Sequence, residues 1–306
     1  MKIFITGGTG FIGSHLTKKL VGAEHRVTVL TRKIRPGRTL PTGAVYCEGD
    51  PNVPGKWQEI LADHDMVINL AGASIIGRWT ETKKEEIRNS RINTTHHLVD
   101  GIEMAAAKGR QIALLSTSAV GYYGDRGDEP LTEESSAGTD FLGHLAQDWE
   151  REALRAEEYG ARVVRCRFGL VLGSSGGVLA KMLPAFKLGL GSRLGSGRQW
   201  FPWIHQGELA NIFAYLADKP ELRGVFNCVA PESVTNDEFT RQLAQTLDRR
   251  VLPIGVPALV LKLAFGEMST VLLGGQRVSP ENLLQSGYIF RFPTLSTALA
   301  NLLKND

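Results

Sequence analysis

The chain has 306 residues, of which 42% are hydrophobic and 22% charged, so it can bury a large core as one domain or one and a half. Its 35 basic and 32 acidic residues nearly balance and form no basic stripe, so we expect no nucleic-acid partner. No apolar run approaches the roughly 18 residues that span a bilayer, and no basic leader precedes the first strand pattern. We therefore expect no membrane partner and a location in the cytoplasm or an organelle matrix.

Three cysteines, Cys47, Cys166 and Cys228, lie in apolar stretches. Their odd number and their environment are typical of small buried side chains in a reducing compartment, so we expect no disulfide. Their spacing is not that of metal ligands, and we predict no metal site.

Short apolar runs alternate with helix-period segments through the first two thirds of the chain. This alternation predicts an α/β fold with a doubly wound parallel Rossmann sheet. The predicted strands are Lys2–Thr6, Arg26–Thr31, Val45–Glu48, Met66–Leu70, Ile112–Ser116 and Arg162–Arg167. The predicted helices are Gly13–Val21, Lys83–Ala107 and Phe141–Tyr159.

After Gly173 the alternation weakens, and glycine and aromatic residues crowd into GLGSRLGSGRQWFPWIH. We therefore predict a Rossmann domain over residues 1–172, to which residues 203–220 return. Residues 173–202 and 221–306 are predicted to form a smaller C-terminal α/β lobe that binds substrate.

The motif TGGTGFIG at residues 6–13 follows a strand pattern and opens a helix pattern, and a second strand follows about twenty residues on. In this βαβ context Gly7 allows a tight turn, Gly10 lets a pyrophosphate approach the backbone, and Gly13 lets the helix pack on the strand. Phe11 and Ile12 belong to the helix start that faces the phosphates. The sequence predicts a dinucleotide site; the alternative is a glycine-rich turn without a ligand.

The second strand ends in Thr31-Arg32-Lys33. A preference for NAD would place a carboxylate here to accept from the ribose hydroxyls, whereas a hydroxyl and two cations suit a 2′-phosphate. We predict NADP(H) as the cofactor, with contacts from Thr31 and Arg32. The alternative is that the cations only solvate a loop.

Two further motifs, NLAGA at residues 69–73 and STSAVGYYG at residues 116–124, follow the fourth and fifth strands. Together with TGGTGFIG they resemble the extended short-chain dehydrogenase/reductase superfamily, which contains nucleotide-sugar epimerases and dehydratases. The resemblance implies cofactor contacts from Leu70, Ala71 and Gly72, and from Asn93 in RINTTHHLV.

The order NLAG, SRINTT, GYYG, DWE, GVFNCVAP and LLGGQRVSP is similar to an atypical branch of "epimerase family proteins". That branch includes a bacterial group once called cell-division-inhibitor-like and a vertebrate NADP-binding member. Relatives often dimerise through the helices that correspond to Lys83–Ala107 and Phe141–Tyr159, so the resemblance implies a possible homodimer.

Members of the superfamily use a Ser or Thr, a Tyr, and a Lys four residues after the Tyr to move a proton. Ser118 matches the first position. The other two fall in TDFLGHLAQDWE at residues 139–150, where one register offers Phe141 and Leu145 and the other Leu142 and Ala146. Neither register offers a proton, and these residues continue an apolar helix face. We interpret the pair as replaced.

Tyr122 and Tyr123 lie just beyond Ser118 and are the candidate proton donors, with His144 more distant. Without a nearby lysine a tyrosine is a poor base near neutral pH, and both rings are also compatible with a packing role. Tyr215 and Lys219 match Tyr-x-x-x-Lys literally, but they lie far downstream, and we predict that they only pack or face solvent.

The glycine-rich segment combines backbone freedom, arginines and aromatic rings, a mixture suited to folding over an anionic ligand. Arg198 is the predicted substrate contact, although a purely structural loop is an equal alternative. For His205 a hydrogen-bonding role in the core is favoured over catalysis.

Two functions are compatible with these features. The first is an NADP(H)-dependent oxidoreductase or epimerase that acts on a small polar or nucleotide-linked substrate through an unconventional proton donor. The second is an NADP(H)-binding sensor or regulator with little or no turnover.

Overall fold

The computed structural model describes residues 1–37 and 39–304. Eleven strands are found in this part of the chain: β1 Lys2–Thr6, β2 Arg26–Thr31, β3 Ala44–Glu48, β4 Met66–Asn69, β5 Ala113–Ala119, β6 Pro130–Leu131, β7 Val163–Phe168, β8 Leu170–Gly173, β9 Trp203–His205, β10 Gly224–Cys228 and β11 Arg277–Val278. The helices are α1 Phe11–Gly22, α2 Trp57–Leu61, α3 Glu81–Ala107, α4 Phe141–Leu154, α5 Gly177–Lys187, α6 Gln206–Asp218, α7 Asn236–Thr246, α8 Ala258–Phe265, α9 Ser269–Leu273, α10 Glu281–Gln285 and α11 Leu295–Leu303.

Seven strands form one parallel sheet in the order β10-β7-β5-β4-β1-β2-β3. The chain starts in the middle and runs outward first in one direction and then in the other, which confirms the predicted doubly wound α/β fold. The order reverses between β1 and β4. In sheets of this kind ligands bind beyond the carboxyl ends of the strands at such a reversal.

The central strands read as unbroken apolar runs because both of their faces are covered. Ile3, Phe4 and Ile5 of β1 are all fully buried, with Ile3 and Ile5 in one core cluster and Phe4 in another. A parallel sheet with helices on both faces produces this pattern.

All six predicted strands and all three predicted helices are present. β1 and β2 have the predicted ends, and the other elements differ by one to three residues at one or both ends, apart from the last helix. β5 runs to Ala119, and α1 begins at Phe11. The predicted helix Phe141–Tyr159 stops being α-helical at Leu154 and continues as a 3₁₀ turn over Arg155–Tyr159. The apolar pattern does not register this tightening because the same face stays buried.

One strand of the main sheet lies in a part of the chain that was predicted to belong to the smaller lobe. Residues 224–228 form β10, which pairs in parallel with β7 and extends the sheet. Its core residues Phe226 and Cys228 are buried in the same cluster as β1. A single short apolar run does not reveal its partner, and only long-range pairing placed it here. The rest of the predicted division into lobes stays a prediction.

A separate apolar cluster joins elements from the later part of the chain. Phe201 stacks on Phe239 of α7 with 4.2 Å between ring centres, and Leu295 and Leu299 of α11 are buried in the same cluster. This core supports the glycine-rich segment ahead of β9.

The three cysteines are free and buried, which confirms the prediction of no disulfide. In the described ranges, 1–37 and 39–304, no helix combines the length and apolar character needed to cross a membrane.

Helix α1 packs unusually close to the loop that precedes it. A Cβ on Gly13 would lie 2.2 Å from the carbonyl oxygen of Gly7 and 2.6 Å from Cα of Gly8. Gly7 itself has φ of +68°, and a Cβ there would lie 2.7 Å from the carbonyl oxygen of Leu70. These glycines bring α1 and the ends of β1 and β4 together at one point.

We predict that Gly13→Ala lowers the free energy of unfolding by about 1–3 kcal/mol, because the added methyl group overlaps backbone atoms that cannot rotate away. Gly22→Ala on the same helix is the control, since a Cβ there meets nothing within 4 Å. The control should leave stability unchanged or raise it by up to about 1 kcal/mol. Urea unfolding measures both; equal midpoints for the two variants would contradict the close packing.

Candidate functional site

The start of α1 offers uncapped amide groups at the carboxyl edge of the sheet. Gly10 precedes the helix in an extended conformation, no side chain caps the first turn, and no acidic residue lies in that turn. First-turn amides have no acceptor within their own helix and carry the positive end of its dipole. The arrangement suits a bound phosphate.

A chain of buried hydrogen bonds fixes the strand ends below this loop. Thr6 donates to Asn69 Oδ1 over 2.7 Å, and Asn69 Nδ2 donates to Thr95 Oγ1 over 3.0 Å. The Thr6 hydroxyl also accepts from the amides of Leu70 (3.2 Å) and Ala71 (3.3 Å). The predicted cofactor segment 70–72 is therefore held against the glycine loop.

The two apolar residues of the glycine motif have different surroundings. The Phe11 ring lies against the turn between β8 and α5, since a Cβ on Gly173 or Gly176 would come within 2.4 Å of it. Ile12 is half-buried against the main core. Phe11 thus connects the glycine loop to the turn that precedes α5. Its predicted contact with the cofactor stays a prediction.

The segment after β2 is basic and exposed. Thr31 donates to the carbonyl oxygen of Lys33 over 3.2 Å, and the side chains of Arg32, Lys33 and Arg35 face solvent. Arg32 makes no ion pair or hydrogen bond with the described residues. Residues 32–37 contain no acidic residue, so a positive patch borders the glycine loop.

Beside this patch lies a cavity of about 320 Å³ between α1 and the loop that joins β2 to β3. Gly8, Lys18, Thr39 and Tyr46 are among its lining residues, and the buried hydroxyl of Thr17 on its wall has no partner among the described residues. The cavity adds room and polar groups next to the basic segment.

The Ser118 side chain is buried and not open to solvent. Its hydroxyl is fully buried and donates to Glu150 Oε1 on α4 over 2.7 Å. The same carboxylate accepts two bonds from Arg167 on β7, Nε to Oε1 at 2.7 Å and Nη2 to Oε2 at 2.9 Å. Burial alone lowers the pKa of a guanidinium, but the hydrogen bonds and charge of Glu150 raise the pKa of Arg167 above its ordinary value.

Tyr123 is built into the same network. Its ring is fully buried, its hydroxyl donates to Asn227 Oδ1 over 2.7 Å, and it accepts from Arg167 over 2.9 Å. Burial raises the pKa of Tyr123 to about 12, so the hydroxyl stays protonated near neutral pH. For Ser118 and Tyr123 a catalytic role stays a prediction, and it would require each hydroxyl to leave its present partners.

Tyr122 is the remaining candidate donor. The Arg167 guanidinium lies 3.4 Å from the centre of its ring, a close cation–π contact. Tyr122 is half-buried, and its hydroxyl makes no hydrogen bond within the described part of the chain. His144, the distant alternative, is exposed on α4.

The positions predicted to correspond to the family's Tyr and Lys carry packed apolar side chains. Phe141 meets Trp79 edge-on at 5.2 Å between ring centres, and Leu145 is buried in a cluster with Trp79, Ile87 and Met268. We call this the cleft cluster. The second register fares the same, since Ala146 is buried and Leu142 contributes to the edge of the cluster. Met268 follows α8, so the C-terminal part of the chain closes over the start of α4.

A cation that was not among the predicted site residues, Arg91, lies near the cofactor segment. Arg91 on α3 donates to the carbonyl oxygens of Ala73 (3.2 Å) and Ile87 (3.0 Å), lies over the Trp149 ring, and comes close to Gly72. It has no carboxylate partner among the described residues, and burial lowers the pKa of Arg91 to about 10. Its position in the motif SRINTT, two residues before Asn93, is the sequence feature that could have indicated it. Asn93 itself is half-buried on the same helix.

The predicted substrate residue and its neighbours lie on the later segment. Arg198 is exposed, and its amide donates to Ser196 Oγ over 3.2 Å. His205 caps α6 by accepting from the amide of Gly207 over 3.0 Å, and burial lowers the pKa of His205 to about 4. His205 is therefore neutral and structural, as predicted. Tyr215 donates to the carbonyl oxygen of Ser286 over 2.6 Å, which confirms its packing role.

One group of possible metal ligands lies on α3, where His96, His97 and Asp100 offer atoms within 4.8 Å of one another. His96 Nδ1 already lies 2.9 Å from a carboxylate oxygen of Glu152 and 2.8 Å from a nitrogen of Arg155. His97 Nδ1 also lies 3.3 Å from Asp100 Oδ2, so these side chains already take part in a surface ion-pair network.

The reversal of strand order, the glycine loop and the uncapped helix start together define a dinucleotide-binding α/β protein. Residues 3–228 match the NAD dependent epimerase/dehydratase family, and residues 256–302 match a domain of unknown function, DUF1731. The chain belongs to the NAD-dependent epimerase/dehydratase family.

Relatives with this architecture come from plants, bacteria and animals. The chain is 38% identical over 311 aligned positions to "Epimerase family protein SDR39U1 homolog, chloroplastic" of Arabidopsis thaliana, which covers 99% of this chain and 87% of that protein. It is 38% identical to "Epimerase family protein YfhF" of Bacillus subtilis, with 99% and 98% covered. The crystal structure of human SDR39U1 (isoform 2) with NADPH is 36% identical, covers 100% of both chains, and has a TM-score of 0.87.

We predict that Glu150→Ala destabilises the fold by about 3–5 kcal/mol, because it leaves Arg167 charged, buried and without a carboxylate. Asp148→Ala is the matched control on the same helix, since Asp148 pairs with the more exposed Arg88 and Arg151. That change should cost about 1 kcal/mol or less. Thermal and urea unfolding compare the two; similar small losses would show that the buried pair is dispensable.

Proposed function

We propose that this chain binds NADP(H) across the loop between β1 and α1. The proposal rests on one observation above the others, the uncapped start of α1 held by Gly7 and Gly13 against the ends of β1 and β4. In this arrangement the pyrophosphate meets the first-turn amides, and the segment 70–72 borders the adenosine half. The NADPH in the human relative's crystal structure supports the same cofactor.

The choice of NADP(H) over NAD(H) rests on charge. Arg32 is exposed and unpaired within the described residues, Lys33 and Arg35 add positive charge, and the cavity beside α1 leaves room for an additional phosphate. Glu48 is the acidic residue opposite Thr31 on β3, one strand farther from the glycine loop. In this proposal Arg32 binds the 2′-phosphate through paired hydrogen bonds.

Beyond cofactor binding, we propose that the protein is a sensor or regulator with little turnover. The cleft cluster supports this function, since Phe141 and Leu145 replace the proton-transfer pair with packed apolar groups. The hydroxyls of Ser118 and Tyr123 donate hydrogen bonds to Glu150 and Asn227, respectively. Such a protein can bind the cofactor, but it lacks the acid and base that members of the superfamily use for proton transfer.

A second candidate is an oxidoreductase or epimerase that acts on a small polar or nucleotide-linked substrate. The hydroxyl of Tyr122 favours it, because that group has no partner within the described residues and lies on the loop after β5. In this function the cofactor supplies or accepts the hydride, Tyr122 handles the proton, and Arg198 contacts an anionic part of the substrate.

We predict that Arg32→Glu raises the dissociation constant for NADPH about tenfold to a hundredfold, because it replaces charge-assisted hydrogen bonds to the 2′-phosphate with repulsion. The dissociation constant for NADH should change little. Lys108→Glu is the matched charge control. Lys108 directly follows the last residue of α3, and its replacement should alter neither value. Cofactor fluorescence titration measures both; equal losses for NADPH and NADH would contradict a 2′-phosphate contact.

We predict that the wild-type chain binds NADPH but does not oxidise it when a broad panel of carbonyl and nucleotide-sugar substrates is added. Substrate-dependent oxidation, followed by loss of absorbance, would contradict the sensor function. If such turnover is lost in Tyr122→Phe while NADPH binding is kept, the oxidoreductase is the correct function. An epimerase returns the hydride to its substrate without net oxidation of the cofactor, so chromatography of the nucleotide sugars tests that activity in the same two proteins. Tyr215→Phe is the control, since its hydroxyl bonds only within the fold.

A further inference from the structure

One surface of the later part of the chain exposes large apolar side chains. In α8 only Leu261 is buried, while Leu259 and Leu263 keep 67% and 69% of their surface exposed. These two residues are four apart and therefore share a helix face. This helix therefore leaves its outer face uncovered by residues 1–37 and 39–304.

The apolar surface continues along the segment that leads into α8. The backbone of residues 252–256 pairs with residues 191–195: Leu252 donates to the carbonyl oxygen of Gly191 over 2.8 Å, and Val256 to that of Arg193 over 2.8 Å. Ile254 is 77% exposed and Leu252 40%. The segment that follows α5 leads into residues 191–195 and carries two more exposed leucines, Leu188 (75% exposed) and Leu190 (57%). We call the six leucine and isoleucine residues the apolar face: Leu188, Leu190, Leu252, Ile254, Leu259 and Leu263.

The charge around this face is mainly positive, with the exposed Asp248 next to Arg249 as an exception. Residues 249–266 and 174–207 contain no Asp or Glu, although the chain as a whole has 32 of them. Arg250 and Lys262 are exposed and make no ion pair within the described residues. The Arg249 side chain donates to the carbonyl oxygen of Lys187 over 3.0 Å, so the two basic ends of the face meet. Glu267, just beyond α8, is taken up by Lys84 at 2.6 Å.

We propose that the apolar face attaches the protein to an anionic lipid surface. Four of the six side chains are exposed over about two thirds or more of their area, and such side chains can enter the boundary between headgroups and acyl chains without a preformed groove. The surrounding cations match the negative charge of phospholipid headgroups. A second copy of this chain is a poorer partner, since a two-fold contact brings the same cations together.

This attachment needs no membrane-spanning helix. The sequence-based expectation of no membrane partner considered only long apolar runs, and a surface contact is formed instead by short segments brought together by the fold. The inference is independent of NADP(H) binding, which uses the opposite end of the chain.

The test is sedimentation of the full-length protein with sucrose-loaded vesicles. We expect binding to phosphatidylcholine vesicles that contain about a third phosphatidylglycerol, weaker binding to pure phosphatidylcholine, and a decrease as salt is raised. The double variant Ile254→Ser, Leu263→Ser should lower the partition coefficient about tenfold or more. Ile289→Ser, at an 89% exposed residue outside this face, is the matched control and should bind as the wild type does.

A second double variant, Arg250→Glu with Lys262→Glu, should weaken binding to anionic vesicles and leave binding to neutral ones unchanged. NADPH titration and circular dichroism verify that every variant folds, and all replaced residues face solvent. Absence of vesicle binding by the wild type overturns the proposal, as does an equal loss in the Ile289 control. Self-association of the wild type that vanishes in the first double variant, seen by sedimentation velocity without lipid, also overturns it and assigns the face to a second copy.

Discussion

The space between α1 and the ends of β1 and β4 is too small for a side chain, and the cofactor edge of the molecule depends on that constraint. Gly13 cannot carry a Cβ without meeting the backbone of Gly7, and Gly7 cannot carry one without meeting Leu70. Because these three backbones touch, the first-turn amides of α1 and the segment after β4 face the same space. Thr6 and Asn69 hold the strand ends in place with bonds that water cannot reach.

Helix α4 joins two structural features of the protein. Its first turns contribute Phe141 and Leu145 to the cleft cluster, and its later turn contributes Glu150 to a buried pair with Arg167. A buried ion pair is costly to desolvate and is tolerated when further bonds satisfy it, as Ser118 and Tyr123 do here. Through these bonds the ends of β5 and β7 are held against α4.

The part of the chain around α8 and α9 is apolar on two sides. On its inner side Met268 packs into the cleft cluster, and Lys84 pairs with Glu267 to hold the connection. On its outer side Leu259 and Leu263 face solvent. The exposed leucines of α8 are therefore separated by only a few residues from Met268, which packs against the start of α4.

The sequence by itself determined the fold class, the six strands and three helices of its first part, the glycine loop and the basic end of β2. These features are local: unbroken apolar runs, glycine spacing and charge at a strand end depend on neighbours within a few residues. The absence of Tyr and Lys on α4 was equally readable. Only the tertiary structure placed β10 in the main sheet, since strand pairing joins residues about sixty positions apart.

The fate of the polar residues was also decided by long-range packing. Ser118 and Tyr123 have the right type and spacing for catalysis, but their hydroxyls bond to Glu150 and Asn227, which lie 32 and 104 residues later. The exposed leucines of α8 look like core residues in the sequence, because a hydrophobic side chain does not reveal whether the fold will cover it. Pattern fixes which groups a segment offers; burial and pairing fix which of them are free.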